Sequence, residues 1–339
     1  FGGNSSSYAV SAPPLAAALK SNFPEVEKSV RIIQSMGTRF KKGGEHISEN
    51  KVAYSDASIF EVFTLPFICG DNKTALTEPR TIVLSERAAQ KYFNRTNVIG
   101  ENLFLVNENV NYKVTGVMHN IPEQSHFNFD YLLSMPSLAS SLDPNWNNFS
   151  FNTYILFNQA DHSNFEAKLN RLLVQHFGVE NYARLIKSGS YIRASLTLLT
   201  DIHLQSNRQY ELGSNSSLTY VYIFSAIAFF VLLIACINFM SLSTARSANR
   251  AREVGVRKVL GSSRSNLVAQ FLSESLLITL FATIIALLFA WLLLPFFNQI
   301  SGKNLTVSAQ LLGWLFPLLI VIIIVVGILA GSYPAFYLS

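Results

Sequence analysis

The chain has 339 residues, of which only 14% are charged, and its formal net charge is +5. In a typical soluble domain about a quarter of the residues are charged. The two cysteines, Cys69 and Cys236, exclude a disulfide framework and a cysteine zinc cluster. Beyond Gly213 the acidic residues nearly vanish, and only Glu253 and Glu274 remain. This change in composition predicts two regions that contact different solvents.

The first region, residues 1–213, alternates helix and strand patterns, which predicts an α+β domain. PPLAAALKSNF predicts a helix, VEKSVRIIQ predicts a strand, and SIFEVF predicts a short helix that begins with a capping box of Ser58 and Glu61. RTIVL followed by SERAAQKYF predicts a strand that leads into a helix with Ser85 as its N-cap. NLFLV and VNYKVTGVM, joined by NEN, predict a β-hairpin.

A second set of elements begins after Pro122. FNFDYLLSM and NTYILFN predict strands, and ASLTLLTDIHL predicts a further strand. SNFEAKLNRLLVQHF predicts an amphipathic helix with Ser163 and Glu166 as a capping box. We therefore expect two subdomains within residues 1–213, the smaller of them inserted at about residues 125–205.

Three apolar runs follow, and each is long enough to cross a hydrocarbon core of roughly 30 Å. They predict a helical transmembrane domain, residues 214–339, with spans at about residues 218–240, 270–297 and 306–330. The break between the first two spans is basic and carries Arg246, Arg250, Arg252, Arg257, Lys258 and Arg264. The next break carries only Lys303. The positive-inside rule therefore places the first break in the cytoplasm and residues 1–213 outside, and export of residues 1–213 leads us to expect a further span before Phe1.

The basic cytoplasmic segment, about residues 241–266, has the pattern of an amphipathic helix. One face would carry Arg246, Arg250, Glu253 and Arg257, and an apolar stripe would carry Val256, Val259 and Leu260. Gly261 suits the position that ends a helix. We expect a short helix that lies beside the cytoplasmic membrane face, stops and restarts. A basic loop held at anionic lipid would explain the arginines, whereas a docking element for a moving cytoplasmic protein would also explain Glu253 and the stop at Gly261.

The stretch SANRAREVGVRKVLGSSRSNLVAQFLSESLL resembles the cytoplasmic segment of ABC transporter permeases of the MacB/FtsX type. Upstream, residues 53–105 and the stretch YKVTGVMHNIPEQSHFNFDYLLSM are similar to the MacB-type periplasmic core domain. The stretch GSYPAFYLS resembles the end of the last span in the first half of a double-length permease. One departure is KYFNRTNVIG, which has Asn94 where the family pattern leads us to expect glycine.

The resemblance implies a bacterial inner-membrane protein with one helix, an extracytoplasmic domain and three more helices. Its membrane part would transmit motion, driven by a cytoplasmic ABC ATPase subunit, for the export or extraction of an extracytoplasmic substrate. The other implied partners are a second permease copy or a second half of the same chain, membrane lipids, and a periplasmic or outer-membrane protein. The residues that match the coupling segment are Arg250, Arg252, Glu253, Val254, Gly255, Val256, Arg257, Lys258, Val259 and Gly261.

No catalytic, cofactor or metal motif stands out in the sequence. A P-loop pattern is absent, so we expect ATP hydrolysis on a separate subunit, and the six histidines lack zinc spacing. Asp56 with Glu61, or Asp130 with His126, could form acid/base pairs, but turn-capping or solvated roles are favoured. Glu274 is expected at the wetted membrane interface, with a functional intramembrane charge as the alternative.

The rival functions are a membrane-anchored sensor or ligand-binding protein without ATP coupling, and a membrane-embedded enzyme. The excess positive charge lies beside apolar runs, which favours membrane lipid over nucleic acid as a partner.

Overall fold

The computed structural model of the protein describes residues 6–158, 164–213, 215–259, 264–301, 305–307 and 309–338. The chain divides into two units, Phe1–Leu218 and Thr219–Ser339. The first unit is a mixed α/β domain, here called the outer domain, and three long apolar helices follow it in the chain. The predicted fold class, an α+β domain followed by helical spans, is confirmed.

The outer domain is built on one ten-stranded sheet. Its strands are β1 (Val26–Gln34), β2 (Thr38–Lys42), β3 (Glu45–Glu49), β4 (Val52–Ser55), β5 (Phe67–Gly70), β6 (Thr81–Ser85), β7 (Asn102–Leu105), β8 (Val110–Met118), β9 (Tyr131–Ser134) and β10 (Asn152–Phe157). The order is β10-β1-β4-β9-β6-β8-β7-β2-β3, and β5 pairs with β8 off this path. The pairs β4–β9 and β6–β8 are parallel, and the remaining pairs are antiparallel.

Helices cover the sheet and form the second unit. Those of the outer domain are α1 (Leu15–Asn22), α2 (Ile59–Val62), α3 (Glu86–Phe93), α4 (Phe165–Phe177), α5 (Val179–Lys187) and α6 (Ile202–Gln205). The long helices are α7 (Leu218–Val259), α8 (Arg264–Ser301) and α9 (Ala309–Leu338). All three are long and apolar enough to cross a membrane, with candidate spans at Leu218–Leu242, Val268–Ser301 and Leu311–Leu329.

The central strands are buried on both faces of the sheet. Successive side chains of β6 enter opposite clusters, because Ile82 and Leu84 pack in one cluster and Val83 packs in the other. β9 does the same, with Leu133 on one face and Leu132 on the other. Strands covered on both faces read as continuous apolar runs, which is why RTIVL and DYLLSM carry no polar alternation.

Several predicted elements are confirmed with their local chemistry. β1 covers the predicted VEKSVRIIQ, and β7 and β8 form the predicted hairpin. The Ser85 side chain caps α3 by accepting a hydrogen bond from the backbone N–H of Ala88. Asn94, the departure from the family pattern, ends this helix with a left-handed φ of 55°. Asparagine tolerates that conformation better than other residues with a Cβ, so it replaces the expected glycine without changing the turn.

Three local predictions are wrong. Ser58 does not cap α2, because its hydroxyl donates to the backbone oxygen of Ser29 at 2.7 Å. Glu166 does not cap α4; its Oε1 accepts from the backbone N–H of Leu196 at 2.7 Å, and its predicted partner Ser163 lies outside the described residues. ASLTLLTDIHL is not a strand, because Asn170 binds the N–H and C=O of Ala194 and the last residues form α6.

The predicted inserted subdomain at about residues 125–205 is not separate from the sheet. Two strands from that range, β9 and β10, pair with β4, β6 and β1 inside the ten-stranded sheet. From the same range, α4 packs beside α1 in a third apolar cluster, where Leu19 and Phe23 meet Phe165 and Leu169. The turn signals near Pro122 therefore mark a loop between strands of one sheet.

The first long helix does not stop before the basic segment. α7 continues from Leu218 to Val259 as one helix of 42 residues, so the separate short helix expected there is wrong. The physical reason is the absence of a helix breaker, because this sequence contains no proline and its only glycine is Gly255. The predicted stop at Gly261 lies outside the described residues.

α8 and α9 pack closely against each other at two glycines one turn apart in α9. A Cβ placed on Gly331 would lie 2.7 Å from Ser275 Oγ, and one on Gly327 would lie 2.6 Å from Leu276 Cδ2. Small residues at this spacing let the backbones of membrane helices approach each other. Ser275 is only 3% exposed as a result.

Candidate functional site

The candidate coupling segment is the part of α7 that extends beyond its apolar span. At 1.5 Å per residue the helix is about 63 Å long, roughly twice the hydrocarbon thickness of a bilayer. The span ends at Leu242 and the helix ends at Val259. About 25 Å of helix therefore projects beyond the span.

Nine of the ten predicted coupling residues lie in the last three turns of α7. They are Arg250, Arg252, Glu253, Val254, Gly255, Val256, Arg257, Lys258 and Val259. The tenth, Gly261, and the stripe residue Leu260 lie outside the described residues. All nine positions therefore lie in one continuous helix, which the predicted amphipathic pattern requires.

Two valines of the predicted apolar stripe are exposed. Val256 is 54% exposed and Val259 is 89% exposed. Residues three apart on a helix are neighbours, so both lie on one side of α7. The two exposed valines therefore form a small apolar surface near the end of α7.

α8 contains the second candidate span, Val268–Ser301. Glu274 lies there on a partly exposed turn, where its Oε1 accepts a hydrogen bond from Gln270 Nε2 at 3.2 Å. Ser275 beside it is buried against α9. The predicted wetted position of Glu274 at the membrane interface remains a prediction.

The candidate acid/base pairs of the outer domain do not form. Asp56 binds Arg31 through a two-pronged contact, with Nε to Oδ2 at 3.0 Å and Nη2 to Oδ1 at 2.8 Å. Glu61 pairs with Lys28 instead, at 2.5 Å. Asp130 accepts from Ser85 Oγ at 2.7 Å and from Arg87 Nη2 at 3.0 Å. These carboxylates hold strands and helices together, which is a structural role.

His126 is likewise held inside the domain. Its Nε2 lies 3.1 Å from the hydroxyl of Tyr154, and its ring packs against Phe63 and Phe127. Burial in this aromatic cluster lowers the pKa of His126 to about 4. The ring is therefore neutral at physiological pH and carries no charge for catalysis. Across the described ranges, no group of three His, Cys, Asp or Glu side chains could hold a metal ion.

A feature that the sequence did not reveal is a cavity of about 720 Å³ in the outer domain. Its walls are β10, residues 192–199, part of α4 and the segment around Tyr8. These four segments are far apart in the sequence, and no motif connects them. The pairing of β10 with β1, the bridge between Ser11 and Phe151, and the side-chain bonds from α4 to residues 194–196 bring them together.

Both parts of the chain match known families. Residues 2–172 match the MacB-like periplasmic core domain, and residues 225–339 match the FtsX-like permease C-terminal family. The first match covers the sheet and α1 to the middle of α4. The second covers most of the three long helices.

Relatives with curated names agree with these matches. The chain is 24% identical over 221 residues to a macrolide export ATP-binding/permease protein MacB of Shewanella sp. (strain W3-18-1), which is 65% of this chain and 31% of that protein. It is 31% identical over 115 residues to the uncharacterized ABC transporter permease YknZ of Bacillus subtilis (strain 168), which is 33% of this chain and 28% of that protein. The chain therefore spans about a third of the length of the curated relatives it matches.

Among solved structures, the periplasmic region of MacB from Actinobacillus actinomycetemcomitans is similar over 51% of this chain and 81% of that chain. That comparison has a TM-score of 0.38 and 15% sequence identity. The family matches cover most of the outer domain and most of the three long helices, in the order that the sequence predicted. The chain belongs to the MacB/FtsX-type family of ABC transporter permeases.

Proposed function

We propose that this permease transmits ATP-driven motion from a cytoplasmic ABC ATPase to its outer domain. The observation that carries the proposal is the unbroken α7, which follows the outer domain in the chain and continues through the span into the coupling segment. A helix resists bending unless a proline, a glycine pair or a bulge interrupts it. A displacement of its last turns would therefore be transmitted to its first turns, because no bend between them would take up the motion.

The contact with the ATPase would be made by the last turns of α7. The exposed Val256 and Val259 would supply its apolar part, and full burial of one valine contributes about 1.5–3 kcal/mol. The basic residues of the segment would add attraction to acidic groups on the ATPase and would hold the helix end near anionic lipid. Glu253 would define the register of the contact, because a single opposite charge among arginines disfavours shifted arrangements.

The same charge pattern supports a proposal for the position in the cell. We propose that the coupling segment lies in the cytoplasm and the outer domain on the other side of a bacterial inner membrane. A second permease copy, or a second half of the same chain, would complete the unit, so that an ATPase dimer meets two coupling segments. ATP hydrolysis would then occur on the ATPase. The MacB relatives, by their printed name, combine the ATP-binding and permease functions in one protein.

The test is to reconstitute the permease with its ATPase in lipid nanodiscs and measure ATP hydrolysis and co-purification. Val256→Asp with Val259→Asp should weaken binding of the ATPase at least tenfold, because two carboxylates would replace the apolar contact. Val179→Asp is the matched control, since Val179 is 70% exposed on a helix of the outer domain. Equal ATPase binding by the double variant and the control would contradict the contact.

A second pair of variants separates binding from transmission. Thr244→Pro breaks the backbone of α7 between the span and the predicted coupling residues, which begin at Arg250, at a cost of about 3 kcal/mol, whereas Thr244→Ala preserves the helix. Thr244→Pro should still bind the ATPase but lose activity that depends on the outer domain. Glu253→Arg and Gly255→Trp should uncouple hydrolysis in the same way. If all three variants work normally, the chain is better described as a sensor or ligand-binding protein without ATP coupling.

A further inference from the structure

The cavity of the outer domain has walls that are fixed by bonds within the domain. Its volume of about 720 Å³ lies in the range of small-molecule sites, roughly 300–1,000 Å³. Asn152 lines it and is only 6% exposed, and its Nδ2 donates to the backbone oxygens of Ala9 at 2.8 Å and Tyr210 at 2.9 Å. On another wall, two side chains of α4 bind the backbone of residues 194–196. Because these bonds join segments that are distant in the sequence, the walls keep their shape without a ligand.

One side of the cavity is apolar. It is continuous with the third apolar cluster, of which Ile155, Leu169 and Leu196 reach the lining. Leu169 is buried, but Ile155 and Leu196 are only half-buried although they pack on that cluster. Trp146 also packs on the cluster and lines the cavity. An apolar tail laid against these side chains would remove their remaining surface from water, which is favourable.

Four charged side chains line the cavity, and the two acidic ones have partners within the domain. Glu166 accepts a hydrogen bond from the backbone N–H of Leu196 at 2.7 Å. Glu211 accepts one from the hydroxyl of Ser206. These carboxylates are therefore engaged in holding the walls together.

The two basic side chains keep donors available. Arg208 uses two of its five N–H groups on Ser195, with Nη2 2.9 Å from Oγ and Nη1 3.4 Å from the backbone oxygen. Arg193 lies two residues before Ser195 and makes no hydrogen bond or ion pair with the residues that the structure describes. Both cations thus belong to one part of the wall. Guanidinium donors match the geometry of a carboxylate, so this part of the wall suits a carboxylate ligand.

We propose that the cavity binds a small carboxylate amphiphile. Its carboxylate would accept hydrogen bonds from Arg208 and Arg193, and its aliphatic tail would lie along the apolar side. A cationic head would be repelled by the same two guanidinium groups, and an uncharged head would leave their charge without a partner. The site lies within the outer domain, so the proposal goes beyond coupling to the ATPase. Loss of either activity would leave the other measurable.

The test uses the full chain in nanodiscs of phosphatidylcholine and a decanoate that carries a diazirine at the end of its tail. On illumination the diazirine loses nitrogen and bonds to the residue beside it, and mass spectrometry of peptides locates that residue. Labelling of residues 152–157 and 192–199 should saturate, and unlabelled decanoate should displace the probe. The methyl ester of the probe has the same tail but no charge. It should label the cavity at least tenfold less, relative to its labelling of α8 and α9, which reports partition into lipid.

Variants of the two arginines locate the carboxylate. Arg193→Gln removes a charge without removing a bond to the described residues, and Arg208→Gln keeps a donor for Ser195. Each should lower labelling by the carboxylate probe at least fivefold and leave labelling by the ester unchanged. Arg171→Gln is the matched control, because Arg171 is exposed on α4 outside the lining, and it should label like the unmodified chain.

Three results would each overturn the proposal. They are equal labelling of the cavity by the carboxylate and its ester, unchanged labelling in both arginine variants, and labelling confined to the long helices.

Discussion

Replacing Asp56 by alanine tests whether the Arg31–Asp56 contact holds the outer domain together. Asp56 accepts three hydrogen bonds from Arg31, from its backbone N–H, Nε and Nη2, at 2.9, 3.0 and 2.8 Å. The two side chains are only 16% and 24% exposed. In Asp56→Ala the guanidinium would keep its bonds to the backbone oxygens of Pro13 and Ser141 but lose its counter-charge.

Removing one partner of a fully buried ion pair costs about 3–5 kcal/mol. Because this pair retains some contact with water, we expect the lower end, about 3 kcal/mol, which is on the order of a 100-fold change in an equilibrium constant. Hydrogen exchange measured by mass spectrometry on the full chain reports such local opening. Amides of β1 and β4 should lose about 100-fold of their protection in Asp56→Ala.

The matched control for this experiment is Glu101→Ala. Arg95 and Glu101 also form an ion pair, but their side chains are 59% and 43% exposed. Such surface pairs contribute about 0–1 kcal/mol, so protection should change less than about fivefold. If Asp56→Ala and Glu101→Ala lower protection by similar factors, burial does not set the strength of these pairs and the reasoning fails.

Two further predictions concern the aromatic cluster and the long helices. The pKa of His126 is about 4 in the folded domain and about 6.5 when unfolded, so its contribution to stability is complete above pH 6.5 and decreases by about 1.4 kcal/mol per unit as pH falls toward 4. His126→Asn should make the free energy of unfolding of the outer domain less dependent on pH, as measured by urea unfolding between pH 6.5 and 4. The control is the same substitution at the exposed His119, and an equal pH dependence in the two variants would contradict this. Gly331→Leu should lower the thermal stability of the helices in detergent, by about 1–3 kcal/mol of packing strain, because a Cβ there would lie 2.7 Å from Ser275 Oγ. Gly313→Leu in the same helix has open space around it and should have little effect, so similar losses in both variants would argue against close packing of α8 on α9.

Elements whose signals are local could be predicted from the sequence. β1 extends from Val26 to Gln34 as expected, because β-branched residues and a following turn define it without help from other segments. Ser85 caps α3 as expected, because the cap bond joins residues only three apart. The three apolar helices were visible for the same reason, since length and composition alone define a candidate span.

Features that depend on distant contacts could not be predicted. ASLTLL has the composition of a strand, but Asn170 and Glu166 bind its backbone and prevent pairing. No local pattern indicates which polar side chain of α4 will bind a segment more than twenty residues away. The continuity of α7 was missed because charge marks where a helix leaves the bilayer, whereas only glycine or proline marks where it stops.

The unbroken α7 also restricts how the chain can change in length. Because each residue turns a helix by about 100°, inserting one residue between Leu242 and Arg250 would swing the valine stripe to a different side relative to the lipid-facing part of the same helix. Insertions of about seven residues, two full turns, would restore the phase but lengthen the rod by about 10 Å. Natural variation in this stretch should therefore favour substitution over insertion, because an insertion changes the angle between the valine stripe and the lipid-facing side of α7.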